Sequence, residues 1–243
     1  MVNKFVMVDG LDGSGKGVVV DALKEWAVKK GLEVLDLREY WKEADGFPNI
    51  DNYDVIISAE PTFTGWGKKV REELIRNGSS ASPEEIAEAY AKDRMELYQK
   101  IIIPALNQDK FVFQERGVVT SLVYQPLQGL DLDFVMNLEG NTFCLDQPPD
   151  LLILTIVDPE VVMDRLDKRV KKDNAIFENL KFQKQIKFVY ESDWLRGVFE
   201  DRGTKVVYLD TNPPLTVDDT KKTVLRVFED FVQDSDLENI DEE

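Results

Sequence analysis

The chain has 243 residues, 43% of them hydrophobic and 32% charged, with a formal net charge of −17. That length and composition suit one folded domain and not a disordered chain. The charge argues against a nucleic-acid or anionic-membrane binder, because a phosphate backbone requires a basic face. There is no histidine and a single cysteine, Cys144. This excludes Ser-His-Asp and Cys-His catalysis, a disulfide within the chain and the usual zinc sites, and leaves Cys144 as a buried or idle thiol. No apolar run approaches the roughly 18 residues of a membrane span, and no basic-then-apolar leader precedes the first strand, so a cytoplasmic protein is expected.

In chain order, Lys4 to Asp9 read as a short apolar strand, Gly10 to Gly17 as a glycine-rich turn and Val18 to Lys30 as a helix. The turn fits G-x-x-x-x-G-K, and strand–loop–helix is the context in which that pattern cradles nucleotide phosphates. Gly10, Gly13, Ser14, Gly15, Lys16, Gly17 and Val18 would then point backbone N–H groups at phosphate oxygens, at the positive end of the helix. Lys16, on an exposed loop and packing against nothing, adds a mobile charge at the β- and γ-phosphates. The hydroxyl residue that normally ends the loop and binds Mg²⁺ is replaced by Gly17. An ordinary glycine-rich strand-to-helix turn is the alternative.

The next strand is Glu33 to Leu37, and residues 38–53 read as an inserted, irregular loop whose aromatics cap a pocket or pack locally. Asp54 to Pro61 is a strand stopped by a proline. A turn over 62–67 leads into a helix over 66–78. Ser82, Pro83 and Glu85 form the start signal of a long helix reaching Leu106. Lys110 to Arg116 is a buried strand, 117–125 a helix, and 127–143 a weakly patterned helical stretch. Asp150 to Asp158 is the most apolar strand, as at the centre of a parallel sheet. Pro159 opens a helix with a basic end, a long helix spans 179–199, a strand 204–210 and a last helix 215–233. Residues 1–233 are expected as one domain and 234–243 as an acidic, disordered tail. The alternation implies an α/β, doubly wound parallel sheet with ligands at the carboxyl ends of its strands.

Those strand ends carry the unusual chemistry: Lys16 after the first, Glu60 and Pro61 after the third, Glu115 and Arg116 after the fourth, Thr211-Asn212-Pro213 after the last. Carboxylates and an arginine there suit a metal–phosphate site; a structural Glu115–Arg116 ion pair is the alternative. Tyr90 and Arg94, four apart, share a helix face. They can stack on a base and bond its edge, or simply pack on the surface. Arg165, Lys168, Arg169 and Lys172 form one stripe, either a cationic lid or a solvated face partly neutralised by Asp164 and Asp167.

Together VDGLDGSGKG, AEPTFTGWGKKVREEL, AYAKDRMELYQKIIIPAL and KFVFQERGVVTSLVYQ resemble the thymidylate kinase family of P-loop nucleoside monophosphate kinases, over nearly the whole chain up to the acidic tail. The resemblance implies a P-loop kinase fold with a helical lid, ATP and Mg²⁺ as donor and cofactor, dTMP as acceptor, and a homodimer. It implies that Tyr90 stacks on thymine, Arg94 reads the base edge, Ser121 approaches the base and Tyr124 crowds the sugar 2′ position. Arg116 would hold the acceptor phosphate, with Glu60, Pro61, Phe63 and Arg71 on the acceptor side and Asn212 on the ATP side. Asp12 would contact the sugar or the metal, Glu115 the metal, and Arg165 and Arg169 would supply lid charge. The sequence departs from the family at Gly17, at Glu115 and Gly117 where Asp and Tyr are usual, beside Pro61, where many members carry arginine and this chain has Ala59, Glu60 and Thr62, and in the longer 38–53 stretch. Two other readings stay open: a deoxynucleoside kinase with Glu60 as base, and a nucleotide-binding protein with weak catalysis.

Overall fold

The apolar runs become strands of one sheet because segments buried on both faces need no polar side. The computed structural model describes residues 5–76, 78–167 and 179–238. Its strands are β1 (Phe5–Gly10), β2 (Val34–Asp36), β3 (Val55–Ala59), β4 (Phe111–Glu115), β5 (Leu151–Ile156) and β6 (Lys205–Asp210). They pair in the order β2-β3-β4-β1-β5-β6, and every pairing is parallel. The helices are α1 (Lys16–Lys29), α2 (Leu37–Glu43), α3 (Gly65–Lys69), α4 (Pro83–Leu97), α5 (Ile103–Leu106) and α6 (Val118–Leu127). After them come α7 (Leu132–Asn137), α8 (Glu139–Leu145), α9 (Pro159–Asp167), α10 (Leu180–Tyr190), α11 (Asp193–Glu200) and α12 (Val217–Glu238).

Alternate strand residues feed two cores, as a period of two requires. On one face Val6, Val8, Ile57, Phe113 and Ile153 pack with Val19, Val20 and Leu23 of α1 and Val224 and Phe228 of α12. On the other, Met7, Ile56, Val112 and Leu152 pack with Leu97 of α4, Val119 and Leu122 of α6 and Ile186 of α10. The expected doubly wound sheet is therefore present, and its carboxyl edge collects the residues singled out above.

Several elements differ from the sequence expectation. The 38–53 stretch is not irregular throughout: Asp36 caps α2 by accepting from Arg38 N at 3.1 Å, and Leu37 and Trp41 are buried beneath it. The expected helix over 66–78 is shorter, with α3 widening into a π-turn at Val70–Leu74. The long helix from Pro83 has the full capping box at Ser82 and Glu85. It passes through a π-turn at Tyr98–Ile102 before α5, where Pro104 can donate no helical hydrogen bond. Residues 127–143 split into α7 and α8, because Leu138 is extended. The 179–199 helix breaks at Ser192, which caps α11 through Leu195 N at 3.2 Å. Finally, α12 continues to Glu238, so 234–238 are not the start of a disordered tail; extending an existing helix needs no new nucleus. Cys144 is buried, as expected.

Helix α8 crosses α4 tightly at Gly140, where a Cβ would stand 1.9 Å from the Ala91 carbonyl oxygen. Gly140→Ala should push these helices apart and destabilise the protein by about 1–3 kcal/mol. Urea unfolding should show a lowered midpoint at unchanged slope.

Candidate active site

The carboxyl ends of β1, β3 and β4 lie side by side, and the glycine-rich loop leaves the first of them. At Gly10, φ is +144° and a Cβ would meet the Thr155 carbonyl oxygen at 2.4 Å, so only glycine fits between β1 and β5. The loop is braced from outside: Ser14 Oγ lies 2.5 Å from Thr155 Oγ1, and Thr211 Oγ1 donates to the Ser14 carbonyl at 2.9 Å. Arg165 donates to the carbonyls of Gly13 at 3.0 Å and Thr211 at 2.6 Å. Lys16 is not exposed; it is 5% accessible, and its Nζ donates to the carbonyls of Gly10 (3.0 Å) and Leu11 (2.7 Å). The reason is local: the folded loop presents two carbonyl oxygens within the reach of its ammonium. Burial, then the nearby Arg116 charge, lower its pKa to about 8.

At the end of β4 the chain turns sharply, with Arg116 at φ +64° and its N–H bonded to the Val8 carbonyl at 2.8 Å. The expected alternative of a Glu115–Arg116 pair does not form: Arg116 lies past the end of β4 in a left-handed turn, and each side chain finds its own partner. Arg116 pairs with Asp12 of the loop. Burial opposes its charge, but Asp12 together with Tyr124, Asp9 and Tyr190 outweighs that and holds its pKa above the ordinary value. Glu115 instead meets Arg38 NH1 at 3.5 Å. A Cβ on Gly17 would stand 3.8 Å from Glu115 Oε2, so ordinary space separates loop helix and carboxylate.

Arg94 is 1% accessible, which rules out surface packing. Its Nε donates to Glu60 Oε2 at 3.0 Å, NH2 to Ser121 Oγ at 2.8 Å and NH1 to Asn141 Oδ1. Glu60 Oε1 accepts from Gln114 Nε2 at 2.9 Å, and the same amide donates to the Arg116 carbonyl. Tyr90, on the same face of α4, feels Arg116, Arg71 and Arg94, while burial raises its phenol pKa. Tyr124 is buried, with Phe182 edge-on at 6.3 Å. The segment after Pro61 is held by Asp93, which accepts from Thr62 N at 2.8 Å and Oγ1 at 2.6 Å. Arg71 donates to the Pro61 carbonyl at 2.9 Å and lies 3.9 Å over the Phe63 ring.

The structure thus brings Asp12, Lys16, Glu60, Arg71, Tyr90, Arg94, Glu115, Arg116, Ser121 and Tyr124 to one edge. Asn212 stands apart, its amide bonded to Asp158 N and Asp210 Oδ1 at 2.8 Å each. Lys168, Arg169 and Lys172, and with them most of the expected lid, lie outside the described residues. Sequence reasoning missed Asp9, a carboxylate inside an apolar strand, which accepts from Tyr190 OH at 2.9 Å and Thr120 Oγ1 at 2.8 Å. It also missed Asn141, Gln114 and Arg38.

The thymidylate kinase family model matches residues 49–219. A probable thymidylate kinase of Thermococcus onnurineus is 34% identical over 172 residues, 68% of this chain and 72% of the relative. A thymidylate kinase of Prochlorococcus marinus is 27% identical over 231 residues, 94% of this chain and 98% of the relative. The solved structure of thymidylate kinase from Ehrlichia chaffeensis superposes with a TM-score of 0.62 at 20% identity, covering 94% of this chain and all of that one. It shows the same fold.

The buried Glu60 makes a pH prediction. Burial, against the pull of Arg94, lifts its carboxyl from 4.5 to about 7. Between those values the folded chain binds more protons than the unfolded one, so this group's contribution to stability falls as pH rises from about 4.5 to 7 and is level above. Glu60→Gln should remove that slope. Across the same window the variant should gain about 1–3 kcal/mol relative to wild type in urea unfolding.

Proposed function

The chain belongs to the thymidylate kinase family, and we propose that it transfers the γ-phosphoryl group of ATP to the phosphate of dTMP, giving dTDP. One observation carries this reading. Arg116, paired with Asp12, stands where the end of β4 meets the glycine-rich loop and Lys16, within the electrostatic reach of Tyr90 and Tyr124. An acceptor that is already a phosphate needs cations to hold it and no strong base, so catalysis is positioning plus charge stabilisation.

In this reading the N–H groups of Gly13 to Val18 cradle the ATP phosphates, and Lys16 exchanges its two carbonyl partners for phosphate oxygens. Arg116 holds the dTMP phosphate, with Arg71, Phe63 and the Glu60–Pro61 segment shaping the acceptor side. Tyr90 offers a flat face to thymine, Arg94 and Ser121 its polar edge, and the bulk of Tyr124 disfavours a 2′-hydroxyl. Arg165 braces the loop; Arg169 adds lid charge and Asn212 borders the ATP side. Glu60 is committed to Arg94 and Gln114, which leaves it poorly placed as a base for a neutral hydroxyl, so the deoxynucleoside kinase reading is not favoured.

Mg²⁺ is part of the proposal. Among the described residues no cluster of three acidic, histidine or cysteine side chains could hold a metal alone. The donor set fits a Mg²⁺ carried on ATP phosphates, which keeps several waters and needs one or two carboxylates. Glu115 is the carboxylate in reach, and Asp12 a second. When bound, the ion offsets phosphate charge. A homodimer and a cytoplasmic location complete the proposal on the family resemblance. No helix among the described residues is long and apolar enough to cross a membrane.

ADP release should follow addition of dTMP, and not of thymidine or ribonucleotides. Arg116→Ala should raise the KM for dTMP about 10- to 100-fold, the equivalent of a lost charged hydrogen bond. Turnover of thymidine in place of dTMP would replace this reading.

Lys16→Met should cut turnover at least about 100-fold without loss of fold. Its pKa falls from 10.5 to about 8 on folding, so the charged side chain costs stability below pH 8 and stability rises toward pH 10.5 as the folded chain sheds that proton first. At pH 7 the variant should therefore melt no lower than wild type, and it should lack the alkaline rise.

A further inference from the structure

Strand β2 and helix α2 precede residue 49, where the family match begins. β2 extends the sheet as an edge strand, with Asp36 beside Ile57 of β3. Two residues on, Arg38 folds back over this edge. Its Nε and NH2 grip Asp36 at 3.0 and 2.9 Å, and NH2 also reaches Asp21 of α1 at 2.8 Å. Lys24 holds the same Asp36 at 2.8 Å. With two corners of the planar guanidinium fixed, the third is aimed rather than free. That corner, NH1, spans the end of β3 and meets Glu115 Oε2 on β4 at 3.5 Å. The β3 residue paired with Glu115 is Ala59, whose small side chain leaves the path open. Both partners are shielded, with Arg38 17% and Glu115 24% accessible.

Glu115 is also among the carboxylates felt by Lys16 and Arg71, and its Oε2 lies 3.8 Å from where a Cβ on Gly17 would stand. Glutamate has one more rotatable bond than aspartate, and a carboxylate serves a phosphate-borne ion only when its rotamer is held. The geometry points to Arg38 as a positioning residue, delivered by the β2–α2 unit, that holds Glu115 against the head of α1 so that it faces the ATP phosphates and their Mg²⁺. The inference rests on the proposed reading of Glu115 as the carboxylate on the metal side.

The test is equilibrium ATP binding by calorimetry on the full chain, with Mg²⁺ titrated and with the metal chelated. Arg38→Ala and Glu115→Gln should each raise the Mg²⁺ needed for half-maximal effect about tenfold, with metal-free ATP binding unchanged. The double variant should be no worse than the worse single one, since both remove one interaction. Arg38→Lys keeps the charge but not the fork and should shift the requirement in the same direction by less. Should Arg38→Ala fail to fold in a thermal melt, Arg38→Lys carries the test. A normal Mg²⁺ requirement in the folded Arg38 variant beside a shifted Glu115→Gln overturns the role of Arg38, as do additive losses or an equal fall in metal-free binding. A normal requirement in Glu115→Gln overturns the reading of Glu115 and the inference with it.

Discussion

The Arg94–Glu60 ion pair is the interaction on which the rest of the site depends. A guanidinium removed from water needs its three nitrogens answered, and the partners of Arg94 come from three different places in the chain. Glu60 follows β3, Ser121 lies on α6 and Asn141 on α8, while Arg94 itself lies on α4. Through Glu60 the network continues to Gln114 on β4 and the Arg116 carbonyl. Arg94 and the Arg116 turn are therefore joined in one hydrogen-bonded unit, which links the base side and the phosphate side of the proposed acceptor pocket. Removing one member of such a buried pair leaves an uncompensated charge, at a cost of roughly 3–5 kcal/mol, so the pair fixes the spacing between α4 and the chain that follows β3.

The glycine-rich loop is held by a different logic. Its N–H groups must stay available, so its bracing comes through side chains and carbonyl oxygens. Thr155, Thr211 and Arg165 take the outer surface, and Asp9 anchors the point where β1 ends, itself held by Thr120 and Tyr190. Tyr190 is the last residue of α10, so that helix is tied to the root of the loop.

The fold was legible because its signals are local: apolar runs for strands, Ser82 with Glu85 for a helix start, the glycine spacing for the loop. Residues at strand ends were legible too, since topology alone brings them to one edge. What escaped depends on contacts far apart in sequence or on small backbone energies. Asn141 reaches Arg94 across 47 residues and Tyr190 reaches Asp9 across 181, and no local pattern marks either. The Asp36 cap that starts α2 is hidden by the glycine and proline that follow it. The break at Ser192 has a capping signature, yet periodicity on both sides of it masks the stop. The divergence of Glu115 and Arg116 follows from the left-handed turn at Arg116, a non-glycine residue that carries no local turn signal.

A protein of net charge −17 that handles polyanions faces an electrostatic problem, and the site answers it by pairing cations in advance. Lys16 sits on carbonyl oxygens, Arg116 on Asp12, Arg71 on the Pro61 carbonyl and Arg38 on Asp36 and Asp21. These pairings keep buried charges solvated by the protein, so the cations are already aligned when phosphate oxygens replace a carbonyl or a carboxylate. The replacement is an exchange of partners, and its free energy is a difference between two good sets of contacts. Such a difference favours the ligand that answers most cations together. With Arg116 in its proposed role, a nucleotide lacking its phosphate would leave Arg116 on Asp12 and gain nothing there, which is the physical basis proposed for discrimination between a monophosphate and its nucleoside at this edge of the sheet.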